Sequence, residues 1–363
     1  MKHKILMVCE AFGGGVFAYV SQLCNDMCDE FDVYLAYAIR PQTPKNYMEA
    51  MDKRVHMIEV KSFGGNILNP IKDIKVIKEL RAIQRQVKPD VIHLHSSVAG
   101  GIGRIAFKSC KDYQLIYTPH GYAHILMGKP TDRKCKMYKW FEELLGHRNC
   151  ITLTCCESED EVAKTLTKRT AYVETGVNLE DLHSTIDNIE PEHTDRFTVY
   201  GMGRLCTQKQ PDLFNRIAEL VPEARFIWIG TGELQHTLTA PNIELTGWKP
   251  RHEAIAMGKG AQIYILCSLG EAIAMSLIEN MYIGKLCLVS NTMGNKSVIK
   301  DGMNGYVCET AENYANRIKE AMRSFPAKIA DKGRQDVLEH YNTTRMKRDY
   351  ITFYNNVING KYN

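Results

Sequence analysis

The stretch from residue 263 to residue 290 constrains the fold of this chain more than any other. Residues 263–267 are apolar, as expected of a strand that is buried on both faces of a parallel sheet. A polar loop follows, then a helical pattern at 274–282 and a second apolar run at 286–289. This order predicts a strand–loop–helix–strand unit. Its loop lies at the carboxyl end of a strand, where open α/β sheets bind ligands.

Two carboxylates of this unit are separated by about two helical turns. Glu271 lies in the loop and Glu279 lies in the helix, so both are predicted to face one crevice. The backbone N–H groups of Ile273, Ala274 and Met275 point to the same place. A helix start favours an anion such as a diphosphate, and ionised carboxylates accept hydrogen bonds from sugar hydroxyls. The combination fits a nucleotide sugar; two unrelated surface glutamates are the alternative.

The same alternation of strands and helices continues along the chain. Strands are predicted at 4–9, 32–38, 55–60, 91–94, 114–118, 150–155, 197–201, 224–229, 243–246, 263–267, 286–290 and 305–308. Helices of the first half are predicted at 16–28, 43–51, 70–87, 101–110, 133–146 and 158–167. The polar stretch 183–196 lacks periodicity and marks a domain boundary. We therefore expect an α/β fold with two Rossmann-like, doubly wound domains, 1–185 and 186–340. The remaining residues, 341–363, are predicted to form a helix that packs back on the first domain.

Composition excludes several classes of protein. The length of 363 residues suits two domains, and 44% apolar with 24% charged residues is typical of a soluble globular protein. A net charge of +4 is too small to indicate nucleic acid as a partner. The 12 cysteines are scattered without zinc-type spacing, which favours reduced thiols and a cytoplasmic location. No apolar stretch is long enough to predict a membrane span.

Glycines follow the first predicted strand. Without side chains, Gly14 and Gly15 let the backbone approach a ligand closely, although a simple tight turn would use the same residues. The run is not the G-x-G-x-x-G fingerprint, so we predict no dinucleotide cofactor.

Histidines end two other strands of the first half. His120 lies between proline and glycine, and is predicted to be held in a turn on the ligand side. His95 fits either a ligand-facing residue or a structural histidine.

Two cations follow the first strand of the second half. Arg204 and Lys209 lie in its exit loop, where they can neutralise a diphosphate, Arg through its planar fork and Lys as a point charge. Basic residues also mark the stretches 70–88 and 129–148, the second interleaved with aromatic residues. These stretches fit either an anionic membrane surface, from which a lipid-linked acceptor could be reached, or ordinary solvated helix faces.

In this order and spacing the motifs resemble the GT-B glycosyltransferases of family 4, which are retaining enzymes. The matching segments are E-x7-E at 271–279, GR-L-x-x-x-K at 203–209, IGTGE at 229–233, ELTGW at 244–248, DGMNGYV at 301–307, TPHG at 118–121 and the glycines at 13–15. Three departures are Ala272-Ile273-Ala274, where the family usually has Gly-Phe or a similar pair, Met293-Gly294, where it has Gly-Gly, and Gln210, where Gly is common. The resemblance implies two domains that face each other across a cleft.

The resemblance also implies the activity. A sugar would pass from a UDP-sugar, or alternatively a GDP-sugar, to a glycan or lipid-linked acceptor in cell-surface polysaccharide synthesis. The departing phosphate would help to deprotonate the acceptor, and neither a metal nor a cofactor would be needed. Peripheral contact with the inner membrane surface is one of the two interpretations of the basic stretches 70–88 and 129–148, and solvated helix faces are the other. The alternatives are another enzyme on this fold, such as a nucleotide-sugar epimerase or a phosphorylase, and a non-catalytic nucleotide-sugar-binding subunit.

Residue roles come from the same resemblance. His120, beside the transferred sugar, and Glu271, on the donor-sugar hydroxyls, are the implied catalytic residues. Arg204 and Lys209 would hold the diphosphate, and Glu279 the ribose. The backbone at 273–275 and at 14–15 would approach the phosphates.

Overall fold

The computed structural model describes residues 2–63, 70–126, 131–191 and 195–362, without the side chains of 70–72. Lys129, the side chain of Lys72 and part of the polar stretch 183–196 therefore lie outside the described residues. The chain divides into two compact units. The first comprises Met1–His124, Pro130–Glu174 and Met346–Asn363, and the second comprises Ile125–Lys129 and Thr175–Arg345.

The first unit is built on a seven-stranded parallel sheet with the order β3-β2-β1-β4-β5-β6-β7. Its strands are β1 (Lys4–Cys9), β2 (Asp32–Tyr37), β3 (His56–Glu59), β4 (Val91–His95), β5 (Gln114–Thr118), β6 (Ile151–Thr154) and β7 (Thr170–Tyr172). The helices are α1 (Gly14–Met27), α2 (Pro70–Val87), α3 (Ser97–Ala106), α5 (Arg133–Gly146) and α6 (Glu157–Leu166). The short helix α4 (Ala123–Leu126) begins in this unit, and its last two residues belong to the second. The strand order reverses between β1 and β4, which is where open α/β sheets bind ligands.

The second unit repeats this plan with a six-stranded parallel sheet of order β10-β9-β8-β11-β12-β13. Its strands are β8 (Thr198–Met202), β9 (Arg225–Ile229), β10 (Ile243–Gly247), β11 (Ile263–Leu266), β12 (Leu286–Ser290) and β13 (Tyr306–Cys308). The helices are α7 (Leu179–Asp187), α8 (Pro211–Leu220), α9 (Arg251–Gly260), α10 (Met275–Tyr282), α11 (Met293–Val298), α12 (Ala311–Arg323) and α13 (Ala327–His340). Here the order reverses between β8 and β11.

Apolar cores cover both faces of the second sheet. Phe214, Phe226 and Tyr314 belong to the cluster on one face, and Leu277 and Met281 to the cluster on the other. Burial on both faces explains why these strands are nearly continuous apolar runs, without the alternation of a half-exposed sheet.

The last helix, α14 (Thr343–Ile358), contributes to the core of the first unit. Tyr350 and Tyr354 are fully buried. The Tyr350 hydroxyl lies 2.6 Å from that of Tyr19, and the Tyr354 hydroxyl lies 2.7 Å from His93 Nδ1. These hydrogen bonds satisfy polar groups that would otherwise be costly to bury.

Several predictions of local structure were wrong. Residues 43–51 form successive turns and no helix. The Asn25 side chain hydrogen-bonds backbone groups at the end of this segment: it donates to Ala50 O and accepts from Asp52 N. The predicted boundary after residue 185 falls inside α7 of the second unit.

Among the described residues, no helix is both long enough and apolar enough to cross a membrane.

Candidate active site

Two loops of the second unit meet beside the reversal of its strand order. One follows β8 and the other follows β11. The side chain of Gln208 donates to Gly270 O at 3.0 Å, and Leu269 N donates to Gln208 O at 2.8 Å. The side chain of Gln210 donates to Cys267 O at 2.6 Å. These bonds hold the two loops together, so side chains from both reach one place.

Gln210 carries a backbone strain that can be measured. Its φ of 48° is left-handed, a conformation that costs a residue with a Cβ about 1–2 kcal/mol and costs glycine nothing. The bond to Cys267 O offsets part of this cost. Gln210→Gly and Gln210→Ala both lose that bond, but only Gly removes the strain. We expect Gln210→Ala to be the less stable variant by about 1 kcal/mol in urea unfolding; equal stabilities would contradict a strained native backbone.

Lys209 and Glu271 form an ion pair in this joint. Glu271 Oε1 accepts hydrogen bonds from Lys209 Nζ at 2.6 Å and from Ser268 Oγ at 2.5 Å. The two charged side chains are largely enclosed, with 17% of Lys209 and 10% of Glu271 exposed. Within the described residues no donor contacts Oε2. One oxygen thus fixes the carboxylate, and the other remains to accept a hydroxyl.

The start of α10 presents free amides next to this pair. The helix begins at Met275, and its N-cap residue Ala274 provides no side-chain cap. No acceptor among the described residues takes the N–H groups of 273–276. Gly294 of α11 lies so close that an added Cβ would come within 2.2 Å of Glu271 O. Close packing therefore fixes the loop, and the free amides favour an anion.

Glu279 is held by a cation that the motif analysis missed. Arg251, the first residue of α9, donates to Glu279 Oε1 from Nη2 at 2.9 Å and from Nε at 3.2 Å. Its third group, Nη1, pairs with Asp181 of α7. As in Glu271, one carboxylate oxygen is fixed, and no described residue donates to the other. This geometry suits acceptance from a vicinal diol.

Arg204 lies apart from the enclosed pair. Its side chain is 63% exposed and contacts Glu233 at 3.2 Å. Among the described residues it contacts neither Lys209 nor Glu271. The structure thus brings together Lys209, Glu271 and the start of α10, and leaves the diphosphate role of Arg204 a prediction.

The glycine loop of the first unit opens directly into α1. The helix begins at Gly14, whose φ is +55°, and a Cβ at Gly14 or Gly15 would meet no atom within 4 Å. Its N-cap residue, Gly13, provides no side-chain cap. Beside it, Glu10 binds Arg40 through Oε1 and accepts from Ser96 Oγ at 3.0 Å through Oε2. The open space next to both glycines is compatible with a close ligand, and their role stays a prediction.

His120 lies at the end of β5 in a left-handed backbone conformation, with φ of 55°. Its Nε2 is 3.0 Å from His95 Nδ1, and its Nδ1 is 3.5 Å from Cys155 Sγ. Burial lowers the pKa of His120 to about 3, so the ring is neutral at pH 7. A neutral ring with both nitrogens occupied is poorly suited to acid–base work. His95 is fully buried and supports His120, which favours the structural interpretation of His95.

Glu159, another residue that sequence reasoning missed, fixes the turn after His120. Its carboxylate accepts from Gly121 N at 2.7 Å and from Cys155 N at 2.9 Å. Burial raises the pKa of Glu159 to about 7, while the two backbone N–H donors act in the opposite direction. It lies in the first turn of α6, and its partners are 38 and 4 residues away, so no local pattern pointed to it.

Among the described residues, one set of three side chains comes close enough to share a metal ion: Asp336, Glu339 and His340 on α13. Asp336 already binds Lys332 and Asn304. The set lies on an outer helix and not at the carboxyl ends of β8 and β11.

Two family models together match most of the chain. The model described as Glycosyltransferase Family 4 matches residues 13–181, and the one described as Glycosyl transferases group 1 matches residues 184–336. The chain belongs to glycosyltransferase family 4. This confirms the family that the motifs resembled, and with it the prediction of an enzyme.

One relative of this glycosyltransferase has a detailed name. The UDP-Gal:alpha-D-GlcNAc-diphosphoundecaprenol alpha-1,3-galactosyltransferase of Escherichia coli is 29% identical over 291 residues, which are 71% of this chain and 72% of that protein.

Solved structures share the fold of this glycosyltransferase. Sucrose-phosphate synthase from Thermosynechococcus elongatus has a TM-score of 0.81 at 15% identity and covers 98% of this chain and 99% of its own. Anabaena Alr3699/HepE in complex with UDP and glucose has a TM-score of 0.75 at 14% identity, covering 97% and 99%. At such identities the likeness shows the fold alone. The predicted fold class, two Rossmann-like parallel-sheet domains of the GT-B type, is confirmed.

Proposed function

We propose that this glycosyltransferase is a retaining enzyme of bacterial cell-surface polysaccharide synthesis. The donor is a UDP-sugar, with a GDP-sugar as the second choice, and the acceptor is a glycan or lipid-linked glycan at the cytoplasmic face of the membrane. The observation that carries the proposal is the enclosed Lys209–Glu271 pair beside the free amides of α10. The names of the Escherichia coli relative and of the Anabaena complex, both of which contain UDP, support the choice of donor.

Each group of the second unit has a part in this proposal. Lys209 and the amides at 273–275 bind the diphosphate and stabilise the charge that develops on it as it leaves. Removing one such donor costs about 3–4 kcal/mol of transition-state stabilisation in other enzymes. Oε2 of Glu271 accepts from donor-sugar hydroxyls, and Oε2 of Glu279 accepts from the ribose. The carboxylates suit these positions because a carboxylate only accepts hydrogen bonds.

The ion pairs also offset the cost of enclosing these charges. A buried carboxylate and a buried cation are each costly alone and are tolerated as a pair. When a diphosphate arrives, Lys209 can contact phosphate and keep its bond to Glu271, because an ammonium group carries three donors. The same cation then links leaving group and sugar-binding carboxylate.

Metal independence forms part of the same proposal. A lysine, free helix amides and Arg204 supply the positive charge that a divalent ion provides in other transferases. Nucleotide binding should therefore persist in EDTA.

The test is a thermal-shift series with UDP, GDP and ADP, each with EDTA and with Mg²⁺. We expect UDP to stabilise the protein by about 2.7 kcal/mol at one hundred times its Kd, equally in EDTA and in Mg²⁺. Stabilisation by GDP alone would identify the donor as a GDP-sugar. A thermal shift that requires Mg²⁺ would contradict metal independence. No shift with any nucleotide would contradict the assignment of the site.

Turnover then tests the reaction. The enzyme, a UDP-sugar and a polyprenyl-diphosphate sugar should yield a product whose anomeric configuration, read by NMR coupling constants, matches that of the donor. An inverted product would contradict the retaining mechanism, and epimerised donor without transfer would favour the epimerase alternative.

A further inference from the structure

One face of helix α5 in the first unit exposes a row of large apolar side chains. The exposed fractions are 40% for Met137, 56% for Trp140, 38% for Phe141 and 52% for Leu144. The spacing of three, four and seven residues places them on one face, over roughly 100° of the helix circumference. We call these four residues the α5 stripe. An exposed contiguous apolar patch of this kind marks an interaction surface more often than an isolated exposed residue does.

The opposite face of α5 is fixed in the core, so the stripe cannot turn inward. Cys135, Glu142 and Leu145 are buried. Glu142 binds Arg104 Nη2 at 2.7 Å and accepts from the Tyr117 hydroxyl at 2.9 Å. These bonds set the rotation of the helix about its axis, and the α5 stripe is its outward face in consequence.

Cations border the α5 stripe. At about 100° per residue, Lys134 lies beside Phe141 on one edge, and Lys136 lies beside Trp140 on the other. Arg133 continues the stripe at the first turn. All three cations are exposed, and within the described residues no acidic side chain pairs with them. The acidic Glu143 lies on the same edge as Lys136, and it is paired with Lys139 at 3.7 Å. An apolar row bordered by unpaired basic side chains is the pattern of a helix that lies in a membrane interface, where the cations reach the lipid phosphates.

A neighbouring helix extends the basic surface. α2 packs against α3, and α3 packs against α5, so the three helices form one layer. On α2, the cations Lys75, Lys78 and Arg85 are exposed. Each Lys or Arg close to an anionic leaflet contributes about a fivefold gain in binding. Charge on the layer thus favours an anionic surface.

We propose that α5 docks on an anionic lipid bilayer, with the α5 stripe at the boundary between headgroups and acyl chains and its flanking cations on the lipid phosphates. This inference rests on the proposed function, because a lipid-linked acceptor would be presented at the membrane surface on which α5 docks. A second copy of the chain is the weaker occupant, because two facing stripes would bring their unpaired cations together.

The first experiment is vesicle sedimentation with the full chain. Vesicles of phosphatidylcholine with phosphatidylglycerol should bind the protein more strongly than vesicles of pure phosphatidylcholine. The difference between the two should be larger at low salt. Trp140→Ser with Leu144→Ser should lower the partition coefficient at least about tenfold. Lys134→Gln with Lys136→Gln should lower it by about fivefold per residue on the anionic vesicles only. Equal partition of these variants and the wild type would overturn the proposal.

Trp248 supplies a matched control in the second unit. It is 74% exposed, more than Trp140, and Trp248→Ser should leave vesicle binding unchanged. Equal losses from Trp248→Ser and from Trp140→Ser would mean that any exposed tryptophan contributes, against a specific role of α5.

Fluorescence locates the contact directly. The chain has 3 tryptophans, and Trp228 is buried. In Trp248→Phe, emission should shift to the blue with anionic vesicles as Trp140 enters the interface. In Trp140→Phe, which retains Trp248, it should not shift, and the reverse pattern would overturn the proposal. Light scattering without lipid tests whether a second copy of the chain covers the α5 stripe. A dimer that is abolished by Trp140→Ser would show that a second copy, and not a membrane, binds there. Failure of vesicle binding with an intact UDP thermal shift would reject this inference alone.

Discussion

Lys209→Met is expected to lower kcat by about 10²- to 10³-fold, the range found when one preorganised donor to a developing anion is removed from other active sites. The reason is the position of Lys209 between two acidic groups. It already balances Glu271 in an enclosed place, and under the proposed function it also neutralises the leaving diphosphate. Methionine keeps most of the stem and removes only the charge and the hydrogen bonds.

The pair should respond as a unit. Lys209→Met leaves the Glu271 carboxylate enclosed with the Ser268 hydroxyl as its remaining described donor, which is costly. Glu271→Gln removes the charge that the lysine balances and also weakens contact with the donor sugar. Because the side chains touch, the effects of the two substitutions should not add, and the double variant should lose less activity than the product of the single losses.

The measurement is steady-state kinetics with a saturating acceptor, together with UDP affinity from thermal shifts. Loss of kcat with a smaller loss of UDP affinity indicates a transition-state role. Arg216→Met is the matched control: it removes a cation from an exposed ion pair with Glu219 on α8 of the same unit. Near wild-type turnover of Lys209→Met would remove the basis of the site.

Much of the fold could be predicted from periodicity, because both sheets are parallel and covered on both faces. The predicted bounds of β1, β5, α2 and α5 agree with the structure residue for residue. The glycines of α3 misled the prediction, which placed that helix at 101–110. Positions 100 and 103 are helical and carry glycine because a Cβ would come within 2.1 Å of the Tyr117 ring at the first and within 2.5 Å of Leu94 at the second. In the sequence, glycine for close packing looks the same as glycine for a loop.

The site was predictable where it follows strand ends and not where it depends on distant partners. Lys209 and Glu271 could each be placed in a loop that follows a strand, but their contact, which spans 62 positions of sequence, could not be predicted. Arg251, 28 positions from Glu279, and Glu159, 38 from Gly121, lie in ordinary charged helices. Only the fold selects them from the other charged residues. His120 shows the reverse: its position was predictable, but its half-buried, neutral ring, in contact with His95 and Cys155, was not.

Breaking the buried pair of Arg104 and Glu142 is expected to cause the largest loss of stability. The two side chains are 3% and 10% exposed, and the Arg104 guanidinium also lies 4.1 Å from the centre of the Tyr117 ring. Arg104→Met should lower the free energy of unfolding by about 3–5 kcal/mol, because it leaves the Glu142 carboxylate buried without its cation. Urea unfolding followed by circular dichroism gives the loss, and hydrogen exchange should place it in α3 and α5.

Replacing the whole network tests whether the cost comes from an orphaned charge or from lost packing. The variant Arg104→Met, Tyr117→Phe, Glu142→Leu leaves no polar group of the three behind, so it should recover most of the stability lost by Arg104→Met alone. The exposed pair Lys139–Glu143 on the same helix is the control. Lys139→Met should change the free energy of unfolding by less than about 1 kcal/mol. If the triple variant were as unstable as the single one, packing around the guanidinium, and not charge pairing, would hold α5 in place. The outward orientation of the α5 stripe would then depend on the volume that the Arg104 side chain fills, and not on its charge.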